Sequence, residues 1–213
     1  MVRIVENHDW VIFTLLGLGV VYLILFNWIQ KEVSFKEYLL QPYGEAQNNV
    51  LSWIFVSGVF IVSQALLLAQ YIPIVPRYVT DIDVSGWVLN KIGFMIIVLS
   101  IYYLLRTLLT LLFYRAIAQP KKWLILGFLA QRFYFIESLI IMMAVIAHYY
   151  LGVDKEQAYI VYAIADMVFF LIKNICYFLH KEKPLPREWY YKILYICALQ
   201  ILPMLAVWKF VFL

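Results

Sequence analysis

Apolar stretches long enough to cross a bilayer recur along this chain, so every other residue must be read against a hydrocarbon solvent. A bilayer core is about 30 Å thick, and a spanning helix takes roughly 20 residues. Seven apolar or nearly apolar stretches fill the 213 residues, and most reach that length. Hydrophobic residues make up 65% of the chain and charged residues 14%, against roughly 45–50% and about 25% in a soluble domain. The runs are continuously apolar rather than alternating, which excludes β-barrel spans. The expected fold is all-α: a polytopic transmembrane helical bundle of about six spans. No connection is long enough for a soluble domain, so residues 1–213 read as a single integral membrane domain.

The spans are expected at 10–28, 50–72, 89–112, 133–151, 158–179 and 189–212. Trp10 and Trp28 bracket the first, as suits rings that prefer the two interfaces. The acidic start (Glu6, Asp9) and the lack of a small-residue cleavage pattern argue against a removed signal peptide. In the polar segment 30–49, Phe35, Leu39 and Leu40 are spaced for a short surface helix. Pro73 and Pro76 end the second span, because each lacks an N–H and restricts its predecessor. The loop that follows carries Arg77, Asp81 and Asp83. Trp123–Ala130 is too short to cross, and reads as an interfacial helix leading into the span at 133. Alternatively, one long tilted span begins near Trp123. Pro203 is expected to kink the last span, which neighbouring helices tolerate in a membrane.

Cationic residues set orientation, since cytoplasmic loops carry an excess of Lys and Arg. The first, third and fifth connections hold ten, counting span edges: Lys31, Lys36, Arg115, Lys121, Lys122, Arg132, Lys181, Lys183, Arg187 and Lys192. The opposite face holds five: Arg3, Arg77, Lys91, Lys155 and Lys209. Both termini are therefore expected in the periplasm. The net charge of +4 is a matter of orientation and does not point to nucleic acid. A three-plus-three arrangement fits the span count, but the halves show no repeat.

Charge inside hydrocarbon is expensive, so ionisable residues within spans are functional candidates. Arg106, Glu137, Asp166 and Lys173 qualify. At about 1.5 Å per residue they fall at similar depths, and Asp166 and Lys173 share a helix face. They are expected to form one charged cluster facing the bundle interior, as an ion or substrate path or as structural pairing. A competing structural account has Arg106, Glu137 and Lys173 snorkelling to the interface. Asp166 is too short to do so.

A second polar group, Glu6, His8, Asp9 and His148, falls on the outer face. Its spacing matches no metal-ligand pattern, so no metal is assigned. Capping of the first span by Asn7 or Asp9 is the simpler role. His8 and His148 as a haem pair is a minor reading, and no cofactor is predicted. Cys176 and Cys197 lie in apolar runs and read as packing residues. His-Glu-x-x-His, Gly-x-Ser-x-Gly, Walker and Gly-x-Gly-x-x-Gly patterns are lacking. So are an Asp-x-x-Asp cluster and paired cysteines in an external loop.

Two segments resemble a known family when taken together. One is Arg3-Ile-Val-Glu-Asn-His-Asp-Trp10. The other is Tyr195-Ile-Cys-Ala-Leu-Gln-Ile-Leu-Pro203, followed by an apolar run and Lys209. They resemble Bacteroidetes inner-membrane proteins classified only as a domain of unknown function. The resemblance covers nearly the whole chain and implies a bacterial cytoplasmic (inner) membrane location, but no reaction. In the family's pattern the closing motif often carries Glu where this chain has Gln200. Gln200 can still hydrogen-bond between helices.

Three function classes follow. The first is a non-catalytic subunit or accessory of a cell-envelope complex. Its partners are the lipid bilayer and a protein docked on the cytoplasmic loop 180–188, stiffened by Pro184 and Pro186. The second is a small-solute, proton-coupled transporter using the charged cluster. The third is a membrane enzyme acting on a lipid or isoprenoid. The sequence leans away from an enzyme.

Overall fold

The structure, a computed structural model, describes residues 9–29, 34–45, 49–72, 90–151 and 153–212. Glu6, His8, Lys31, Arg77, Asp81, Asp83 and both prolines of the second connection lie outside these. Six helices are long and apolar enough to cross a membrane. They are α1 (Asp9–Ile29), α3 (Asn49–Leu68), α4 (Lys91–Ala116), α5 (Pro120–Tyr150), α6 (Lys155–Leu179) and α7 (Trp189–Val211). A short helix, α2 (Phe35–Leu40), precedes α3. Among the described residues there is no strand, and the chain is a multi-pass helical membrane protein.

Local chemistry sets several boundaries. The Asn90 side chain accepts the Gly93 N–H at 2.8 Å, so Asn90 caps α4 rather than interrupting a span. Asp154 accepts the Glu156 N–H and starts α6 in the same way. Helix α2 opens with a full capping box. Ser34 Oγ accepts the Glu37 N–H, and the Glu37 carboxylate accepts the Ser34 N–H. Between α4 and α5 the chain reverses over 117–119, with Ala118 in the left-handed region at φ 55°. Pro120 then opens α5, where its missing N–H costs nothing.

The largest departure from the sequence reading is α5. No interfacial helix ends near Ala130. One continuous helix runs from Pro120 to Tyr150, in line with the single long span that began near Trp123. The polar pair Gln131–Arg132 suggests a membrane boundary, but the Gln131 amide nitrogen and one Arg132 nitrogen find partners within the protein. Gln131 Nε2 donates to Tyr38 Oη at 2.7 Å and Ser52 Oγ at 2.8 Å. Arg132 donates to the Leu39 carbonyl at 3.0 Å and lies 4.0 Å over the Phe128 ring. With partners supplied by α2 and α3, neither residue forces the helix to stop.

The other departure lies in α7. Around Pro203 the expected disturbance is a π-helical stretch, Tyr195–Ile201. The Leu202 N–H donates to the Cys197 carbonyl, one residue further back than in an α-helix. Pro203 has no N–H for the Leu199 carbonyl, so the ladder re-registers there.

Helix α3 is central and packs chiefly on α5, with α1 and α4 also beside it. Val11, Leu25, Val56, Phe135 and Val145 are almost fully buried in the main core. On α6 the outward face is apolar: Ile160, Ile164, Met167, Leu171 and Ile175 are all exposed. Its inward positions are Tyr162, Asp166, Phe170, Lys173 and Tyr177, at helical spacing. The polar stripe of this helix faces protein and its apolar stripe faces lipid, as a membrane solvent requires.

A polar cavity inside the bundle

All four ionisable residues singled out in the spans line one cavity of about 140 Å³ among α3–α7. Arg106 comes from α4, Glu137 from α5, and Asp166 and Lys173 from α6. Gln200 enters from the π-helical stretch of α7 and Gln64 from α3. Lys173 is only 7% exposed, so it does not snorkel to the interface. Aromatic rings, among them Phe60, Tyr103 and Tyr134, close much of the remaining wall.

The charged groups are held by neutral partners. Gln64 Nε2 donates to the Asp166 carboxylate at 3.1 Å. Arg106 donates to the Tyr134 hydroxyl at 3.1 Å. The Lys173 ammonium sits 5.6 Å from the Tyr134 ring centroid and 5.5 Å from that of Phe170. Glu137 feels Lys173, Asp166 and Arg106 electrostatically. Among the described residues, no direct ion pair joins any two of the four. Seven residues separate Asp166 from Lys173, a rise of about 10 Å along the helix, which spreads the charges along the cavity.

Two amides complete the lining. Gln200 is 1% exposed, and neither of its amide atoms meets a partner in full hydrogen-bond geometry, although the Tyr195 hydroxyl of the same helix interacts with both Gln200 and Arg106. Its side chain lines the cavity from α7. Gln64 Oε1 is likewise buried without a partner. Gln64 is a residue that sequence reasoning missed. Attention went to ionisable groups, although a lone amide deep in an apolar span is also costly to leave unpaired.

Of the proposed outer-face group, Asp9 and His148 fall within the described residues. His148 is buried, and its Nδ1 lies 3.2 Å from the Tyr71 hydroxyl. That phenol lies outside the spans, and burial pushes its pKa up to about 12. Asp9 starts α1, and Glu6 and His8 are not described. Among the described residues, no three His, Cys, Asp or Glu side chains converge on a metal position. Cys176 and Cys197 are unpaired and exposed on the helix surface.

At the other end, the loop 180–188 is strapped onto the bundle. Tyr114 Oη donates to the Pro184 carbonyl and Lys122 Nζ to the Leu185 carbonyl, both at 3.0 Å. Leu185 is 3% exposed, so the loop turns its apolar centre inward. Lys181, Glu182, Lys183, Arg187 and Glu188 stay on its outer side.

A profile described as Domain of unknown function (DUF4271) matches residues 10–211. The chain belongs to that family. The match spans all six crossing helices, so every residue lining the cavity lies within the part that defines DUF4271. No curated protein and no solved structure matches the chain significantly. The DUF4271 description carries no reaction, and the cavity's own chemistry must supply one.

Proposed function

We propose that this DUF4271 chain is a small-solute transporter of a bacterial inner membrane, of Bacteroidetes type by resemblance, with proton movement through the cavity. One observation carries this reading. Six polar side chains from five helices surround one intramembrane cavity, and none of the charged ones is neutralised by a direct pair. Structural pairing, which would only fix helix register, would place acid against base. Intramembrane ionisable groups facing a cavity mark ion and substrate routes, and transporter sites favour discontinuous helices near the midplane. The π-helical stretch around Gln200 is a local irregularity in a helix that is otherwise continuous.

The lining also limits the cargo. Two cations and two carboxylates balance, which suits a proton or a small, net-neutral polar molecule. At about 30 Å³ per water in the liquid, the cavity has room for a few waters or a solute of only a few heavy atoms.

Two measurements on the same preparation test the reading. Gln200→Cys, in a chain with Cys176→Ala and Cys197→Ala, is expected to react with a membrane-impermeant thiol reagent. Proteoliposomes loaded with a pH dye are expected to acidify when one of a panel of small polar solutes is added. A Gln200→Cys thiol that stays unreactive from both sides of the membrane, with no flux above empty vesicles, sinks the proposal.

A second reading, a docked protein partner, rests on the five charged residues left outward on 180–188. A second polypeptide that co-purifies with wild-type protein, and is lost when those charges are neutralised, would support it.

A further inference from the structure

A second cavity lies at the edge of the bundle and has a different character. It measures about 380 Å³ and is walled by the end of α2 and the residues that follow it (39–43), by α5 and by the end of α6. Its walls are apolar: Phe128, Leu129, Phe133 and Ile136 from α5, with Tyr177 from α6. Leu40 is 72% exposed and Cys176 is exposed, and both stand at its rim. The mouth therefore opens sideways, toward lipid. Cys176 sits four residues before His180, the residue that ends α6, about 6 Å below the helix end.

Gln41 and Tyr43 also line this cavity, and Arg132 and His180 supply its strongest donors. Arg132 is a permanent cation, and its Nε and one terminal nitrogen are buried without a partner. The third nitrogen bonds the Leu39 carbonyl. His180 Nδ1 accepts the Glu182 N–H at 3.3 Å, which leaves the ring proton on Nε2. No Asp or Glu lines the cavity. The exposed Lys181, Glu182 and Lys183 follow directly on the same membrane face, with the cations in excess.

We propose that this cavity binds an anionic phospholipid. Its phosphate meets Arg132 and His180, and the upper acyl chain lies along Phe133 and Ile136. The anionic charge supplies what the walls lack, since a buried guanidinium with no counter-charge is unfavourable in hydrocarbon. A basic pocket between spans, beside a positively charged face, is suited to anionic headgroups. The ammonium of a zwitterionic lipid gains no net attraction from a segment where Lys181 and Lys183 outnumber Glu182. This site stands apart from the intramembrane cavity and does not depend on transport.

The test uses the full chain, delipidated in mild detergent and titrated with phosphatidylglycerol, phosphatidylethanolamine or inorganic phosphate. Bound lipid is counted by native mass spectrometry and thermal stability is followed in parallel. Phosphatidylglycerol is expected to stay bound and raise the melting temperature, while the other two do neither. Arg132→Gln is expected to weaken phosphatidylglycerol binding roughly tenfold or more, the loss of a hydrogen-bonded charge. Arg132 also holds α2, so Cys176→Trp, which fills the mouth and leaves Arg132 in place, is the second variant and should lose the lipid too. Lys155→Gln, on the opposite face, should bind as wild type. Equal retention of phosphatidylethanolamine, equal stabilisation by free phosphate, or wild-type binding by Cys176→Trp would each overturn the proposal.

Discussion

Asp166 is the cavity carboxylate with the least freedom, since its short side chain is held by Gln64 and cannot reach the interface. If it carries protons, Asp166→Asn should keep membrane abundance near wild type and cut solute-driven flux by about 100-fold, the low end for a positioned proton carrier. Arg106→Leu removes a buried cation bonded to Tyr134 and serves as the structural control, read by quantitative immunoblot. Equal loss of abundance in the two variants would mean the charges only hold the helices together. A different residue, Gln131, does structural work. Gln131→Leu leaves the Tyr38 and Ser52 hydroxyls without their shared donor. It is expected to destabilise the bundle by about 1 kcal/mol, between the cost of an unpaired buried group and the smaller couplings seen within membranes. A double-mutant cycle with Tyr38→Phe in detergent unfolding measures the coupling, and additive losses would show that the bond is not stabilising.

Among the elements, α7 is the one whose irregularity bears on function. Pro203 breaks the ladder, and the π-helical stretch before it carries Gln200 into the cavity. Pro203→Ala restores the missing donor and should let the segment close into a regular α-helix. Gln200 then turns away, so labelling of the Gln200→Cys thiol should fall several-fold while thermal stability holds or rises. Unchanged labelling would show that the π-helical register does not depend on the proline. The small helix α2 depends on its capping box. Ser34→Ala should speed amide exchange at Glu37 by about fivefold, the equivalent of a typical cap. Glu37 has its pKa lowered by the Ser34 N–H that it accepts. A depressed carboxylate contributes stability above its unfolded pKa and loses it as pH falls through the folded value. Protection of α2 should therefore be flat near neutral pH and drop below the ordinary carboxylate range, and Glu37→Gln should remove that pH dependence.

At the scale of the whole molecule, an even number of crossings puts both ends of the described chain on one side. A periplasmic location for that side is the expectation from the count of basic residues, with Arg132 now twelve residues inside α5 rather than at a span edge. Lys155→Cys, between α5 and α6, should be labelled by an impermeant thiol reagent in intact cells, like the termini. Lys181→Cys, between α6 and α7, should be labelled only after permeabilisation. The reverse pattern would invert the molecule and place the lipid pocket in the other leaflet.

Membrane residence, the helical class and the number of crossings were legible in the sequence, because lipid leaves the backbone few options and demands long apolar runs. The charged residues worth following were also legible, since Arg106, Glu137, Asp166 and Lys173 stand out against hydrocarbon. Tertiary structure alone decided what each of them faces. It placed Gln64 and Gln200 among them, because which helix meets which is set by packing between faces distant in sequence. It also carried α5 straight through Gln131 and Arg132, because the partners for those polar groups come from α2 and α3. A single apolar run records its own length and period, but not the neighbour that will satisfy its polar side chains.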